Sequence, residues 1–94
     1  MIRWTRPALA DLEGIGDFIA RDNPAAAKRI VGGLVASVDV LRDHPNLGRP
    51  GRLTGTRELV VSGTPYVVPY RVLGDDVQIL AVFHGARRWP DGFE

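Results

Sequence analysis

Apolar residues are spaced as in helices over the first half of the chain and as in strands over the second half. Residues 8 to about 21 and 24 to about 44 carry them at intervals of three and four, which predicts two amphipathic helices. Asp22-Asn23-Pro24 interrupts the pattern, because the residue before a proline avoids helical backbone. Pro24 itself suits the first turn of the next helix, so the two helices are predicted to form a hairpin.

Two features of the predicted helices concern their packing. The first helix is expected to bury one apolar stripe, which consists of Leu9, Leu12, Ile15, Phe18 and Ile19. The second helix contains Gly32 and Gly33, and each glycine costs up to about 1 kcal/mol relative to alanine inside a helix. Such a pair indicates either a close approach of the two helices or a local bend, and we expect the close approach.

Apolar and polar residues alternate over three later segments, 56–62, 66–73 and 77–83, which predicts three strands. The connections at 63–65 and 74–76 are short and contain glycine. Connections of this length join antiparallel neighbours, so the three strands are predicted to form a meander.

The remaining segments complete the predicted fold. Residues 2–4 are expected to form a short strand, and the proline- and glycine-rich segment 44–51 a loop. Pro69 cannot donate a ladder hydrogen bond, so we expect a bulge at that point of its strand. The predicted class is α+β: a short N-terminal strand, a two-helix hairpin and a three-stranded antiparallel meander, forming one sheet with the helices packed on one face.

Length and composition narrow the possible functions. The chain has 94 residues, which suits one domain over residues 1–94, and it contains no cysteine. Disulfides and thiolate metal sites are therefore excluded, and neither histidine has a partner at metal-ligand spacing, so no metal or other cofactor is expected. No segment has the apolar length of a signal peptide or a membrane span. We expect a cytoplasmic protein with no membrane partner.

Positive charge is concentrated in the second half, although the formal net charge is only +1. Residues 1–47 carry six basic and six acidic side chains, whereas residues 48–90 carry six arginines and three acidic residues. These arginines and one histidine lie in the loop, strands and tail of the predicted sheet; they are Arg49, Arg52, Arg57, Arg71, His84, Arg87 and Arg88.

The arginines and the histidine suit different parts of phosphate chemistry. Arginine holds phosphate by paired hydrogen bonds, but its very high pKa prevents it from transferring protons at neutral pH. His84 is the natural candidate for proton transfer, and Glu58 is the second. The alternative is that the arginines pair with Glu58, Asp75 or Asp76 and only keep the sheet soluble.

Segments along nearly the whole chain resemble the RelE/ParE superfamily of bacterial toxins. They are Trp4 followed by ALADL (8–12), IARDNPAAA (19–27), HPNLGRPG (44–51), GTRELV (55–60), TPYVVPYRV (64–72) and ILAVFHGAR (79–87). The resemblance implies a toxin that is neutralised by tight binding of a cognate antitoxin protein. It also implies one of two targets: RelE-like members cut messenger RNA within the ribosome, whereas ParE-like members inhibit DNA gyrase without known nuclease chemistry.

The cluster of arginines around His84 favours the first target, messenger RNA. The protein would then be a ribosome-dependent endonuclease that needs no metal. The residues assigned to catalysis are His84, Arg57, Arg71 and Glu58, and those assigned to substrate binding are Arg49, Arg52, Arg87 and Arg88. The gyrase alternative stays open because the net charge is low and because no tyrosine follows Tyr70. RelE, by comparison, places a catalytic tyrosine in its C-terminal part. A third interpretation is a chain that retains only the pairing with an antitoxin.

Overall fold

The computed structural model describes residues 1–85, in which a short strand and two helices precede a run of strands. The elements are β1 (Ile2–Trp4), α1 (Arg6–Ala20), α2 (Pro24–Asp39), a 3-10 turn (Val40–Arg42), β2 (Arg49–Pro50), β3 (Arg57–Val60), β4 (Tyr66–Leu73), β5 (Asp76–Ile79) and β6 (Phe83–His84). The predicted α+β class is confirmed. Neither helix of this part of the chain has the length and apolar character that a membrane span requires.

Both helices begin where the sequence favours a helix start. The Thr5 hydroxyl accepts a hydrogen bond from the Ala8 amide at 3.3 Å, and Asn23 Oδ1 accepts one from the Ala26 amide at 3.0 Å. A proline follows each cap within the first two helical positions, where a missing N–H is tolerated. α2 ends at Asp39, earlier than predicted, and a single 3-10 turn leads into the loop.

The strands form a mixed sheet in the order β1-β5-β4-β3-β2, and β6 also pairs with β4. β1 runs parallel to β5, and the other pairings are antiparallel. The predicted meander is therefore β3-β4-β5, and β1 and β2 extend it on either side. β2 was not predicted because a two-residue strand in a proline-rich loop has no alternation to detect.

The third predicted strand, 77–83, is wrong as a continuous element, because it divides into β5 and β6. Between the pairs Tyr70–Ile79 and Val67–Phe83, β4 has two residues (68 and 69), whereas the opposite segment has three (80–82). The extra residue therefore lies in segment 80–82. Pro69 stands opposite this segment; it offers no N–H, while its carbonyl accepts from the Leu80 amide at 2.9 Å. The expected bulge therefore lies opposite Pro69, and β4 itself is continuous.

The helices cover one face of the sheet, and the core lies between them. The buried core residues are Ala8, Leu34, Val38, Leu41, Leu59, Val61, Val68, Tyr70, Val77, Ile79 and Val82. Directly paired residues share a face of a sheet, so the register also defines the side away from the helices. We call this side the distal face; it carries Arg3, Arg49, Glu58, Val60, Val67, Pro69, Arg71, Leu73, Asp76 and Gln78.

The apolar stripe predicted for α1 is wrong at two positions. Leu9 is 47% exposed and Phe18 is 66% exposed, whereas Leu12 and Ile15 pack against the core. A helix resting on a sheet turns only a stripe of roughly 100° toward the core. Leu9 and Phe18 lie on opposite edges of that stripe and therefore remain outside the core.

The close approach expected at Gly32 and Gly33 is also wrong, because a Cβ atom at either position would meet no atom within 4 Å. Gly16 of α1 makes the close contact instead. A Cβ atom there would lie 3.1 Å from Val31 Cγ2 of α2. Gly16 therefore lies at the contact between the two helices, whereas Gly32 and Gly33 are exposed.

One side chain of α1 fixes the interrupted segment between β5 and β6. Asp11 Oδ2 accepts a hydrogen bond from the Val82 amide at 3.0 Å in a partly buried setting. We expect Asp11→Ala to lower the free energy of unfolding by about 1–2 kcal/mol, because the amide loses a charged acceptor. Urea unfolding measures this loss. Asp17→Ala changes an exposed acidic residue of the same helix and serves as the control; equal losses in the two variants would contradict the role of Asp11.

Candidate functional site

The first group of predicted site residues meets where β2 pairs with β3. Arg49 Nε and Nη2 lie 3.1 and 2.9 Å from Glu58 Oε1. The Glu58 side chain is 6% exposed, while that of Arg49 is 61% exposed. A buried carboxylate needs such a partner because its desolvation is costly. Glu58 thus joins β3 to β2, with its charge compensated by Arg49.

Arg57 and Tyr70 hold the loop that precedes β2. Arg57 Nη1 donates to the carbonyl oxygens of Gly48 at 2.8 Å and Asn46 at 3.3 Å. The Tyr70 hydroxyl donates to the Pro45 carbonyl at 2.8 Å and accepts from the Gly48 amide at 2.8 Å. We call these two side chains and the backbone of residues 45–48 the loop clamp. The clamp fixes the path of the chain into β2.

The protonation state of Tyr70 suits this role. Burial raises the pKa of the Tyr70 phenol above its ordinary value. The hydrogen bond from Gly48 and the positive charge of Arg57 act in the opposite direction, and burial prevails. The phenol therefore stays neutral over a wider pH range, and only in that form does it donate to the Pro45 carbonyl.

A second group of polar side chains lies on the distal face, around Gln78. Arg71 Nε donates to Gln78 Oε1 at 2.6 Å, and Arg3 Nε donates to Asp76 Oδ2 at 2.9 Å. The hydrogen bond from Arg3 lowers the pKa of Asp76, and the positive charges of Arg3 and of the N-terminal ammonium group act in the same direction. Arg3 and Arg49 each face a carboxylate. Within residues 1–85, Arg71 has a neutral amide as its partner, so its charge is not compensated.

His84 lies apart from these arginines. It pairs with Tyr66 across β4 and β6, and the two ring centroids are 5.9 Å apart in an edge-to-face arrangement. Tyr66 packs against the core, so His84 lies on the helix-covered side of the sheet, opposite to the distal face. Along β4, Arg71 lies five positions beyond Tyr66, the partner of His84, which corresponds to about 16 Å in a strand. The structure therefore does not bring His84 to Arg71.

Arg57 is likewise distant from His84. Arg57 pairs with Tyr70, four positions along β4 from Tyr66, which corresponds to about 13 Å. Arg57 and Glu58 are consecutive residues of β3 and point to opposite faces of the sheet; Arg57 contacts the loop carbonyls of Asn46 and Gly48, and Glu58 contacts Arg49.

The remaining predicted residues are Arg52, Arg87 and Arg88. Arg52 is exposed in the turn between β2 and β3, where the Gly51 amide donates to the Thr56 carbonyl at 2.8 Å. Arg87 and Arg88 lie outside the described residues, so their roles stay predictions. In residues 1–85 no group of three metal-binding side chains is arranged around a common point.

Sequence reasoning missed Tyr66 and Tyr70 as residues that shape this region. The alternation of β4 did place both on one face, which was the available signal. Spacing alone did not indicate that the Tyr70 hydroxyl reaches the loop at 45–48. It also did not indicate which side of the sheet receives His84, because that depends on the extra residue in segment 80–82.

Comparisons with known proteins agree with this architecture. The family model of the ParE toxin of the type II toxin–antitoxin system parDE matches residues 2–89. One relative is Y4kP of Sinorhizobium fredii, which is named as a toxin. It is 48% identical over 89 residues, which cover 95% of this chain and 92% of that protein. Toxin RelE2 of Caulobacter vibrioides is 43% identical over 84 residues, which cover 89% of this chain and 93% of that protein.

Solved structures show the same fold. A chain of the chromosomal ParDE toxin–antitoxin system from P. aeruginosa has a TM-score of 0.80 and 34% identity, over 88% of this chain and 92% of that chain. A chain of the RelBE2 toxin–antitoxin complex from Mycobacterium tuberculosis has a TM-score of 0.63 and 29% identity, over 89% of this chain and 95% of that chain. With its helix hairpin on a mixed sheet and its match over residues 2–89, the protein is a toxin of a type II toxin–antitoxin system and belongs to the ParE/RelE family.

Proposed function

We propose that this toxin acts in the cytoplasm by binding and inhibiting DNA gyrase, as ParE-like toxins do, rather than by cutting RNA. The observation that carries the proposal is the separation of His84 from Arg71, which lie on opposite faces of the sheet and about 16 Å apart along β4. Cleavage of RNA requires a phosphate-holding cation and a proton-transfer group that reach the same phosphodiester. The observed arrangement suits a binding surface better.

The contacts of the other predicted catalytic residues support the same proposal. Arg57 donates to two loop carbonyls, and Glu58 is buried against Arg49. A general base has to reach the proton that it removes, and a carboxylate with 6% exposure meets solvent poorly. Both side chains therefore act as parts of the scaffold under this proposal.

Structural similarity also supports it. The TM-score is 0.80 with the ParDE chain and 0.63 with the RelBE2 chain, although both comparisons cover nearly the same share of this protein. The backbone of this chain is thus more similar to the ParDE chain than to the RelBE2 chain.

Arg71 is the residue that we assign to target binding. It is exposed on the distal face, and its partner in the described chain is the neutral amide of Gln78. Its positive charge is therefore available to an acidic group of a partner protein. Removing one partner of a buried, hydrogen-bonded charge pair in an interface costs about 2 kcal/mol or more in binding.

We expect Arg71→Gln to raise the toxin concentration needed for half-inhibition of gyrase supercoiling at least about tenfold, in line with such a loss. Arg42→Gln is the matched control: it removes the same charge from an exposed arginine, paired with Asp39 at 2.7 Å on the helical side. Purified gyrase and relaxed plasmid provide the assay. Equal inhibition by Arg71→Gln and wild type would contradict the role of Arg71.

A second candidate function, RNA cleavage at the His84 end of the sheet, rests on the contact between His84 and Tyr66. This contact places an imidazole and a phenol, both able to exchange protons, 5.9 Å apart between ring centroids. Under this alternative, toeprinting on translating ribosomes shows new RNA ends with the wild type and loses them with His84→Ala. Wild-type protein that produces no new ends would remove this candidate.

A further inference from the structure

Gln78 lies at the centre of a row of three side chains on the distal face. It pairs with Arg3 of β1 on one side and with Arg71 of β4 on the other. Neighbouring strands lie about 4.8 Å apart, so the Cα atoms of Arg3 and Arg71 are separated by about 10 Å. Gln78 is half-buried, whereas both arginines are exposed. The glutamine therefore offers a fixed partner to the longer side chains beside it.

The hydrogen bond from Arg71 to Gln78 determines which edge of the guanidinium group is available. Arg71 Nε donates to Gln78 Oε1 at 2.6 Å. The planar guanidinium group carries one N–H donor on Nε and the others on Nη1 and Nη2. Among residues 1–85 the Nη atoms of Arg71 have no hydrogen-bond partner. The edge that combines Nε with one Nη atom is thus occupied, and the end formed by Nη1 and Nη2 is accessible.

The chemical identity of residue 78 also decides the charge at this position. Arg3 Nε makes the corresponding contact to Asp76 Oδ2 at 2.9 Å, and there the acceptor is a carboxylate. Glutamate has nearly the shape of glutamine and would accept the same hydrogen bond from Arg71, but it would compensate the positive charge. Glutamine instead orients the guanidinium group and leaves its charge uncompensated.

We infer that Gln78 is a positioning residue of the toxin: it holds Arg71 so that Nη1 and Nη2 receive a carboxylate of the target protein end-on, through two parallel hydrogen bonds. The inference rests on the proposed function, and it adds the geometry and the chemical class of the group that is bound. Paired hydrogen bonds from arginine to a carboxylate are strong and directional. A side chain that is held in place before binding also loses less entropy in the complex.

The surroundings of Arg71 favour a protein carboxylate over the phosphates of a nucleic acid. Leu73 lies on the same face and is 50% exposed, so apolar surface adjoins the cation. Asp76 pairs with Leu73, and its partly exposed carboxylate repels a polyanion. Nucleic-acid binding relies on many phosphate contacts, whereas in the described chain this row offers one uncompensated cation.

Three variants separate the contact from the charge. Gln78→Glu keeps the hydrogen bond but compensates the charge of Arg71, so it should raise the toxin concentration for half-inhibition of gyrase at least about tenfold. Gln78→Met keeps the charge but removes the acceptor, and it should raise this concentration about 2- to 10-fold because Arg71 is no longer held. Lys28→Gln is the control: it lowers the net charge by the same amount as Gln78→Glu at an exposed site of α2, and it should have no effect.

Nuclear magnetic resonance of the isotope-labelled full chain checks the orientation without any target. The Nε–H signal of Arg71 is identified by its loss in Arg71→Lys. It should be protected from exchange with water in the wild type and in Gln78→Glu, and this protection should be lost in Gln78→Met. Equal exchange in the wild type and in Gln78→Met would overturn the positioning role.

The inhibition assay has two further outcomes that would overturn the inference. One is unchanged inhibition by Gln78→Glu, or an equal loss in Lys28→Gln. The other is binding of a single-stranded RNA that Gln78→Glu abolishes while gyrase inhibition is unchanged, because this would assign Arg71 to nucleic acid.

Failure of the gyrase proposal is recognised separately, because the wild type then does not inhibit supercoiling. Growth arrest of cells that express the same variants decides the inference in that case, since it reports binding to any target. Gln78→Glu should relieve the arrest, and Lys28→Gln should not. Equal arrest by the two variants would overturn the inference.

Discussion

Gly48→Ala is expected to lower the free energy of unfolding by about 2–3 kcal/mol, because the loop clamp has no space for a methyl group. A Cβ atom at Gly48 would lie 2.7 Å from both Cε1 and the hydroxyl oxygen of Tyr70, and 2.8 Å from the Glu58 carbonyl oxygen. Two of these atoms belong to the fully buried side chain of Tyr70, and the third belongs to the backbone of β3. To avoid these clashes, the protein would have to move β3 or break the hydrogen bond between Gly48 and Tyr70.

Thermal unfolding is a suitable measurement, since 1 kcal/mol corresponds to about 4–8 °C in Tm for a protein of this size. Gly32→Ala provides the control, because a Cβ atom there meets nothing within 4 Å. It should raise stability by up to about 1 kcal/mol through helix propensity. If Gly48→Ala were neutral while Gly32→Ala behaved as expected, the described packing of the clamp would be incorrect.

Tyr70→Phe is expected to lower the free energy of unfolding by about 2 kcal/mol at neutral pH, without creating a cavity. The phenol oxygen bridges the Pro45 carbonyl and the Gly48 amide, each at 2.8 Å. Its removal leaves the amide of the buried residue Gly48 without an acceptor. Tyr66→Phe is the control, because Tyr66 is only half-buried and meets His84 through its ring.

The effect of Tyr70→Phe should also depend on pH. Burial raises the pKa of Tyr70, so the folded protein keeps the phenol proton where the unfolded chain has lost it. The stabilisation is complete below about pH 10, the ordinary value for tyrosine, and is lost as the pH rises through the folded pKa. As the pH rises above 10, urea unfolding should therefore show a decreasing difference in the free energy of unfolding between wild type and Tyr70→Phe. A constant difference would contradict the neutral-phenol clamp.

Much of the fold followed from local pattern, because helix starts and strand alternation are local properties. Thr5 and Pro24 mark helix starts that the structure confirms. Burial was harder to predict, since it depends on how each helix lies on the sheet. Phe18 fits the periodicity of α1 and is nevertheless 66% exposed. Gly16 and not the Gly32-Gly33 pair lies at the helix contact, which only the relative placement of the helices determines.

The candidate site was less predictable than the fold, because it depends on long-range register. The sequence places Arg71 and His84 in neighbouring strands of a meander, and a regular continuation of the pairing of Arg71 with Gln78 would set both on the distal face, with His84 opposite Pro65. One extra residue opposite Pro69 shifts the pairing, and it sets His84 against Tyr66. A shift of one residue also moves side chains to the other face of a sheet. No local pattern identified that residue.

Supercoiling of relaxed plasmid by purified gyrase should be measured over a range of toxin concentrations, with wild type and His84→Ala in parallel and with ribosome toeprinting of both proteins. If the toxin inhibits gyrase by binding, both proteins inhibit supercoiling at the same concentration and neither produces new RNA ends. Unimpaired supercoiling, together with RNA ends that appear with wild type and disappear with His84→Ala, would contradict the proposed function.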